Sequence, residues 1–266
     1  MRIIDPAERL LRSLGIRDPA EIDLEMIACD QGAWVDYRPL ASCEAEILGT
    51  CSEAVIAVDS SAHPRRQRFS IAHELGHWHH HRGRKLRCRV EEVSRDKGQK
   101  REERTANSYA ASLLMPWYLL RPIAADYRTL TFKTVEEVAA TFETSLTATA
   151  IRLVETGTWP CILVCHTQRG RRWFTPAPSV PNIWFPRRHL DPDSPAMDVV
   201  FGSSRGDLHP MTVDAYDWFD RDVANYFEIR EQSRRIDNEN ALTILTLDEK
   251  MMDPDLRSAH PRSGRW

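Results

Sequence analysis

Residues 66–77 read Arg66-Gln67-Arg68-Phe69-Ser70-Ile71-Ala72-His73-Glu74-Leu75-Gly76-His77. Pro64 just before them suits the first turn of a helix, and the helical pattern runs on to about His81. On that helix His73 and His77 stand one turn apart and project from one face. Two imidazoles so spaced can hold a single metal ion. Glu74 sits about 100° around the axis from His73. It can reach water at the metal without joining the ligands. A His-Glu-x-x-His string on a helix is the pattern in which two histidines bind zinc and the glutamate serves as general base. Gly76, directly before His77, leaves room for a close-packed neighbour.

A catalytic zinc needs a third protein ligand and an open position. That ligand must come from another element. The next strong helical pattern is Glu102 to Leu114, closed by Met115-Pro116. Glu102 and Glu103 both stand at its start. Asn107 falls four residues after Glu103, on the same face, where it could hydrogen-bond a ligand imidazole. Glu102 has Ala106 at that spacing. Glu103 is therefore preferred over Glu102. An acidic residue in a first helical turn can also simply complement the helix dipole. His81 lies one further turn along the ligand face; a solvated helix end is the plainer reading of His79, His80 and His81. Tyr109, six residues after Glu103, faces elsewhere on the helix. No residue for stabilising an oxyanion is evident.

With these residues in view, the chain resembles the ImmA/IrrE-like family of zinc metallopeptidases. The carrying stretches are residues 66–77 and Glu103-Arg-Thr-Ala-Asn-Ser-Tyr-Ala-Ala-Ser-Leu-Leu-Met-Pro116. The resemblance covers residues 1–157. It implies a gluzincin-like site, with His73, His77 and Glu103 as zinc ligands and Glu74 as catalytic base. It implies an endopeptidase that cleaves a helix-turn-helix transcriptional repressor and so derepresses stress or mobile-element genes. The family often carries an acidic residue just before the Ala-Asn pair, and here Thr105 holds that place. Manganese or iron could occupy such a site instead of zinc.

The remaining chain sets the context. Its 266 residues allow one large domain or several small ones. The net charge of −3 favours neither nucleic acid nor a membrane surface, and no apolar run is long enough to span a bilayer. Six scattered cysteines without a Cys-x-x-Cys pair suit free thiols and a reducing cytoplasm. No signal peptide is expected at the N-terminus. Two short helices are expected in the first 30 residues, with Ile22, Met26 and Ile27 facing inward. Short strands follow at Ala33 to Tyr37, Ala45 to Leu48 and Ala54 to Val58. An edge within 45–58 could take up an extended peptide by strand addition. Residues 82–101 read as a solvated loop.

The expected fold class is α+β in three parts. Residues 1–118 form a zincin-like metallopeptidase domain. Residues 119–157 form a small helix-turn-helix-like helical module, with Thr134 capping one helix and Ser145 the next. Residues 158–266 form a β-rich C-terminal domain, for sensing or docking, with hairpins around Gln168-Arg169-Gly170 and Asp237 to Asn240. Trp159, Trp173, Trp184 and Trp218 fill its core. The rival to the peptidase is a non-catalytic regulator that binds DNA or a repressor. Residues 145–156 offer only Arg152 for base edges, and residues 117–157 carry four basic against five acidic side chains. DNA binding by this module is therefore not expected.

Overall fold

A computed structural model of the chain describes residues 5–41, 43–82, 97–202, 209–253 and 256. It is a mixed α+β fold, helix-rich in the N-terminal part and sheet-rich in the C-terminal part. The chain divides into two compact units. One is Met1–Pro122 with Ala139–Ser145, the other Ile123–Val138 with Leu146–Trp266.

The first unit begins with α1 (Pro6–Ser13) and α2 (Leu24–Asp30). Asp5 caps α1 by accepting from the Ala7 amide, and Asp23 caps α2 by accepting from Glu25 and Met26. Such caps satisfy amides that have no partner inside the helix. Leu24, Ile27 and Ala28 turn inward, whereas Met26 is 67% exposed, contrary to the expectation. Three strands follow: β1 (Ala33–Arg38), β2 (Ala45–Gly49) and β3 (Ala54–Asp59). β3 is central, parallel to β1 and antiparallel to β2, so β2 is an edge. Ile47 opposes Ile56, and Ala45 opposes Val58, on the buried face. The other face exposes Trp34, Val55 and Leu48 in one cross-strand row.

α3 (Pro64–His81) starts at His63, whose ring nitrogen caps the Arg65 amide. Residues Ser70 to Trp78 of α3 are all buried, against β2, β3 and α4 (Lys97–Leu114). Each large side chain buried here, such as Ile71 or Leu113, contributes about 1.5–3 kcal/mol. α4 starts five residues before the expected Glu102, so residues 97–101 are helix rather than loop; residues 83–96 lie outside the described residues. The Ser112 hydroxyl donates to Asp5, and Glu8 accepts from the Trp117 amide, which ties the start of the chain to the C-terminal end of α4 and to the residue that opens the next helix. α5 (Trp117–Ala125) and α6 (Phe132–Thr141) continue the helical run. α6 begins a turn earlier than expected, with Thr131 rather than Thr134 at its cap: the Thr134 amide donates to the Thr131 hydroxyl.

The second unit carries α7 (Leu146–Glu155) and an antiparallel five-stranded sheet. The strands are β4 (Cys161–Thr167), β5 (Gly170–Pro176), β6 (Met211–Asp214), β7 (Glu228–Arg235) and β8 (Ala241–Thr246), in the order β5-β4-β8-β7-β6. Short helices α8 (Pro195–Val200) and α9 (Ala215–Trp218) flank them. Cys161 and Cys165 are buried on β4 as free thiols. Trp159, Trp184 and Trp218 are buried, while Trp173 is only partly so. Glu231 is a buried polar hub on β7. It accepts from Trp218 Nε1 at 2.7 Å, from the Ala196 amide at 2.7 Å and from the hydroxyls of Ser194 and Ser233.

Candidate metal centre

The buried face of α3 presents His73 and His77 one turn apart, as the i, i+4 spacing requires. Their Nε2 atoms lie 3.0 Å from each other. The rings meet edge to face with centroids 4.7 Å apart. α4 brings Glu103 to the same point. One carboxylate oxygen lies 3.2 Å from His73 Nε2 and the other 3.4 Å from His77 Nε2. Ligand atoms of these three residues all fall within 4.8 Å of one another, so together they could hold a metal ion. Two neutral imidazoles and a carboxylate suit zinc, and equally manganese or iron.

The electrostatics agree with that donor set. Burial holds His73 below the ordinary histidine value, against the opposing pull of Glu103 and of the Asn107 hydrogen bond. Burial, and then the neighbouring His73, hold His77 down at about 3. Both rings are therefore neutral at pH 7, as metal ligation requires. Asn107 Oδ1 sits 3.0 Å from His73 Nδ1. An amide oxygen accepts only, so His73 carries its proton on Nδ1 and turns the Nε2 lone pair toward Glu103 and His77.

Close approach of α3 and α4 makes this convergence possible. A Cβ on Gly76 would stand 2.9 Å from Ala106 Cα and 3.2 Å from Tyr109 Cβ. The helices thus touch backbone to backbone one turn after Glu103. Tyr109 is buried and stacks on His79 with centroids 5.1 Å apart, away from Glu103. Thr105 bonds back to the Arg101 carbonyl instead of joining the cluster. His81 Nε2 is buried without a hydrogen-bond partner, and its ring lies 6.0 Å from that of His77.

Glu74 is fully buried, and neither carboxylate oxygen has a hydrogen-bond partner. A carboxyl in that position is costly unless something absent from the polypeptide occupies it. Burial, then Glu103 and Glu46, push it up to about 8. Glu74 lines a cavity of about 370 Å3 together with His73, Glu103 and Asn107. The sequence singled out those four. It did not single out Glu44, Ala45, Arg66, Phe69 and Ser70, which complete the wall. Phe69 and Ser70 lie four and three residues before His73, so the helical stripe itself pointed to them. Glu44 gives no such signal; it enters because it directly precedes the edge strand β2, and it pairs with Arg66.

The fold and this cluster define a zincin-like α+β domain with a candidate two-histidine, one-glutamate metal site. Residues 27–154 match the model of the IrrE N-terminal-like domain, Peptidase_M78, and that stretch belongs to the ImmA/IrrE-like family. A solved structure named Mycobacterium tuberculosis transcriptional regulator is similar to the chain with a TM-score of 0.61 and 15% sequence identity. The match covers 91% of this chain and 74% of that one, and at this identity it speaks for the fold. No curated protein matches the chain. The family supports a metallopeptidase or regulatory role. Among the described residues no helix is long and apolar enough to cross a membrane.

Proposed function

We propose that this chain is a zinc-dependent metalloendopeptidase of the cytoplasm that cleaves a helix-turn-helix transcriptional repressor, relieving repression of stress or mobile-element genes. One observation carries the peptidase reading. Three metal-binding side chains converge beside a buried carboxylate that has no partner of its own. His73, His77 and Glu103 would hold the zinc, which when bound supplies Lewis acidity toward water and a peptide carbonyl. Asn107 fixes the His73 tautomer. The raised value of Glu74 is that of the polypeptide alone. Beside a bound cation the carboxylate form would be favoured, and Glu74 would then take a proton from the attacking water at a carboxylate oxygen and later deliver it to the leaving amine. The walls of the cavity keep bulk solvent from Glu74. The edge of β2, which starts at the cavity wall, offers backbone groups along which an extended substrate can lie. The choice of a repressor as substrate rests on the family.

A second reading is a non-catalytic regulator that binds a repressor or DNA. It draws on the likeness to a structure named a transcriptional regulator. Against DNA binding by α7, Arg152 is buried and paired with Glu155, which removes the cation a base edge would need.

Glu74→Gln separates the two readings. An amide cannot accept the water proton, so the variant should keep its zinc and its fold and lose turnover, with substrate affinity little changed. Purified, zinc-loaded protein is mixed with helix-turn-helix repressors from the same cell and cleavage is followed by mass. Equal cleavage by Glu74→Gln and wild type refutes the mechanism. Tight binding without cleavage by either protein favours the regulator.

A further inference from the structure

The sheet-rich unit holds a second cavity, of about 570 Å3, in the size range of small-molecule sites. Four arginines line it: Arg169, Arg171, Arg172 and Arg188. The β4–β5 hairpin and the segment at 186–189 bring them together. Thr167 pairs with Gly170 across the turn, and Gly170 has a φ of +109°, open to glycine at little cost. A Cβ there would lie 2.8 Å from the Arg188 carbonyl oxygen, and the Arg171 amide donates to that same oxygen at 2.7 Å. Arg188 is thereby pinned beside the hairpin end.

The guanidiniums are held in place mainly by neutral acceptors and aromatic rings. Arg171 donates to the Pro186 carbonyl and lies over the rings of Phe174, at 5.0 Å, and Phe185, at 4.3 Å. Arg172 donates to Asn240 Oδ1 at 3.1 Å. Among the described residues none of the four forms an ion pair, although six other arginines do. Burial and the neighbouring Arg188 lower the pKa of Arg171, as expected where cations crowd together. The carboxylates nearby are Glu239 on the wall and Asp237, which feels the charge of Arg172. Asn238 and Glu239 close one side of the cavity.

We infer that this cavity is a binding site for a small phosphate-bearing molecule, seated by Arg169, Arg171, Arg172 and Arg188. Planar guanidinium forks match phosphate oxygens two by two, and a preset cluster loses little freedom on binding. Three observations favour a small ligand over a nucleic-acid strand. The cations ring one cavity instead of forming a stripe. Glu239 on the wall would repel a continuing polyanion. The chain as a whole is net negative.

The test uses the full-length protein and calorimetric titration with pyrophosphate, ADP and adenosine. Saturable binding of pyrophosphate and ADP, none of adenosine, and at least tenfold weaker binding by Arg169→Ala/Arg188→Ala is the expected result. Both side chains are exposed, so the variant should fold, and matching circular dichroism checks this. Arg221→Ala, an exposed cation outside the cavity, controls for net charge. The inference is overturned by no binding of either phosphate probe at about 5 mM, or by an equal loss in Arg221→Ala. It is also overturned if a single-stranded oligonucleotide, or vesicles rich in phosphatidic acid, bind tenfold more tightly than ADP.

Discussion

Asn107 Oδ1 lies 3.0 Å from His73 Nδ1, on the side of the ring opposite Glu103. The contact links the two helices and decides which imidazole nitrogen is free for a metal. Asn107→Ala should therefore leave the helices intact and weaken zinc binding by about 10- to 100-fold. Competition against a chelator of known affinity measures this. An unchanged zinc affinity would mean that His73 is oriented by packing alone.

Glu103 and Glu102 are neighbours in sequence, yet only Glu103 faces the histidines. Glu103→Ala should abolish stoichiometric zinc at micromolar concentration, while Glu102→Ala should retain it. Metal analysis of the two purified variants gives the answer, and a zinc-loaded Glu103→Ala protein removes that residue from the site.

Gly76 stands where α3 and α4 meet. A methyl group there would collide with the backbone of Ala106, which cannot retreat as a flexible side chain can. Gly76→Ala should cost about 1–3 kcal/mol of stability. The same displacement should draw Glu103 away from His73 and His77. Zinc affinity should therefore fall together with the denaturation midpoint, and a variant that loses stability but binds zinc normally would disprove the coupling.

Glu231 predicts a pH dependence in the sheet-rich unit. Burial holds its carboxyl above the ordinary 4.5, against the lowering effect of its hydrogen bonds from Trp218, Ser194, Ala196 and Ser233. The unfolded chain then gives up this proton at lower pH than the folded one. The resulting stability is complete below 4.5 and is lost as pH rises through the folded value. Glu231→Gln has no proton to lose. Between about pH 5 and pH 8 the wild-type urea midpoint should fall relative to that of the variant. Parallel midpoints across this range would show that Glu231 is ionised throughout.

Much of this was legible in the sequence where a period or a cap wrote it. α3 runs from Pro64 to His81 as the pattern predicts, and the three short strands of the first unit begin at their expected residues. The early start of α4 was hidden because Lys97 to Arg101 carry no apolar face, so periodicity appears only further along the helix. Thr131 and Thr134 are both good caps, and local chemistry alone does not choose between them. The parallel pairing of β1 with β3 depends on contacts distant in sequence. In the centre itself, the His73–His77 spacing is local and was readable at once. The approach of Glu103 depends on Gly76 and Ala106, whose small size says only that something packs closely. The arginine cavity is not legible locally, because Arg188 meets the hairpin at Gly170 and Arg171 only through the fold.

The contact between Gly76 and Ala106 also bears on how the centre comes into being. His73 and His77 are two grips on one helical turn, present whenever α3 is wound. Glu103 arrives only when α4 docks. A zinc ion would thus meet a two-point half-site first and a three-point site only after tertiary assembly. Its hold on the protein would gauge the docking of the two helices, and the bound ion would in turn act as a staple across them.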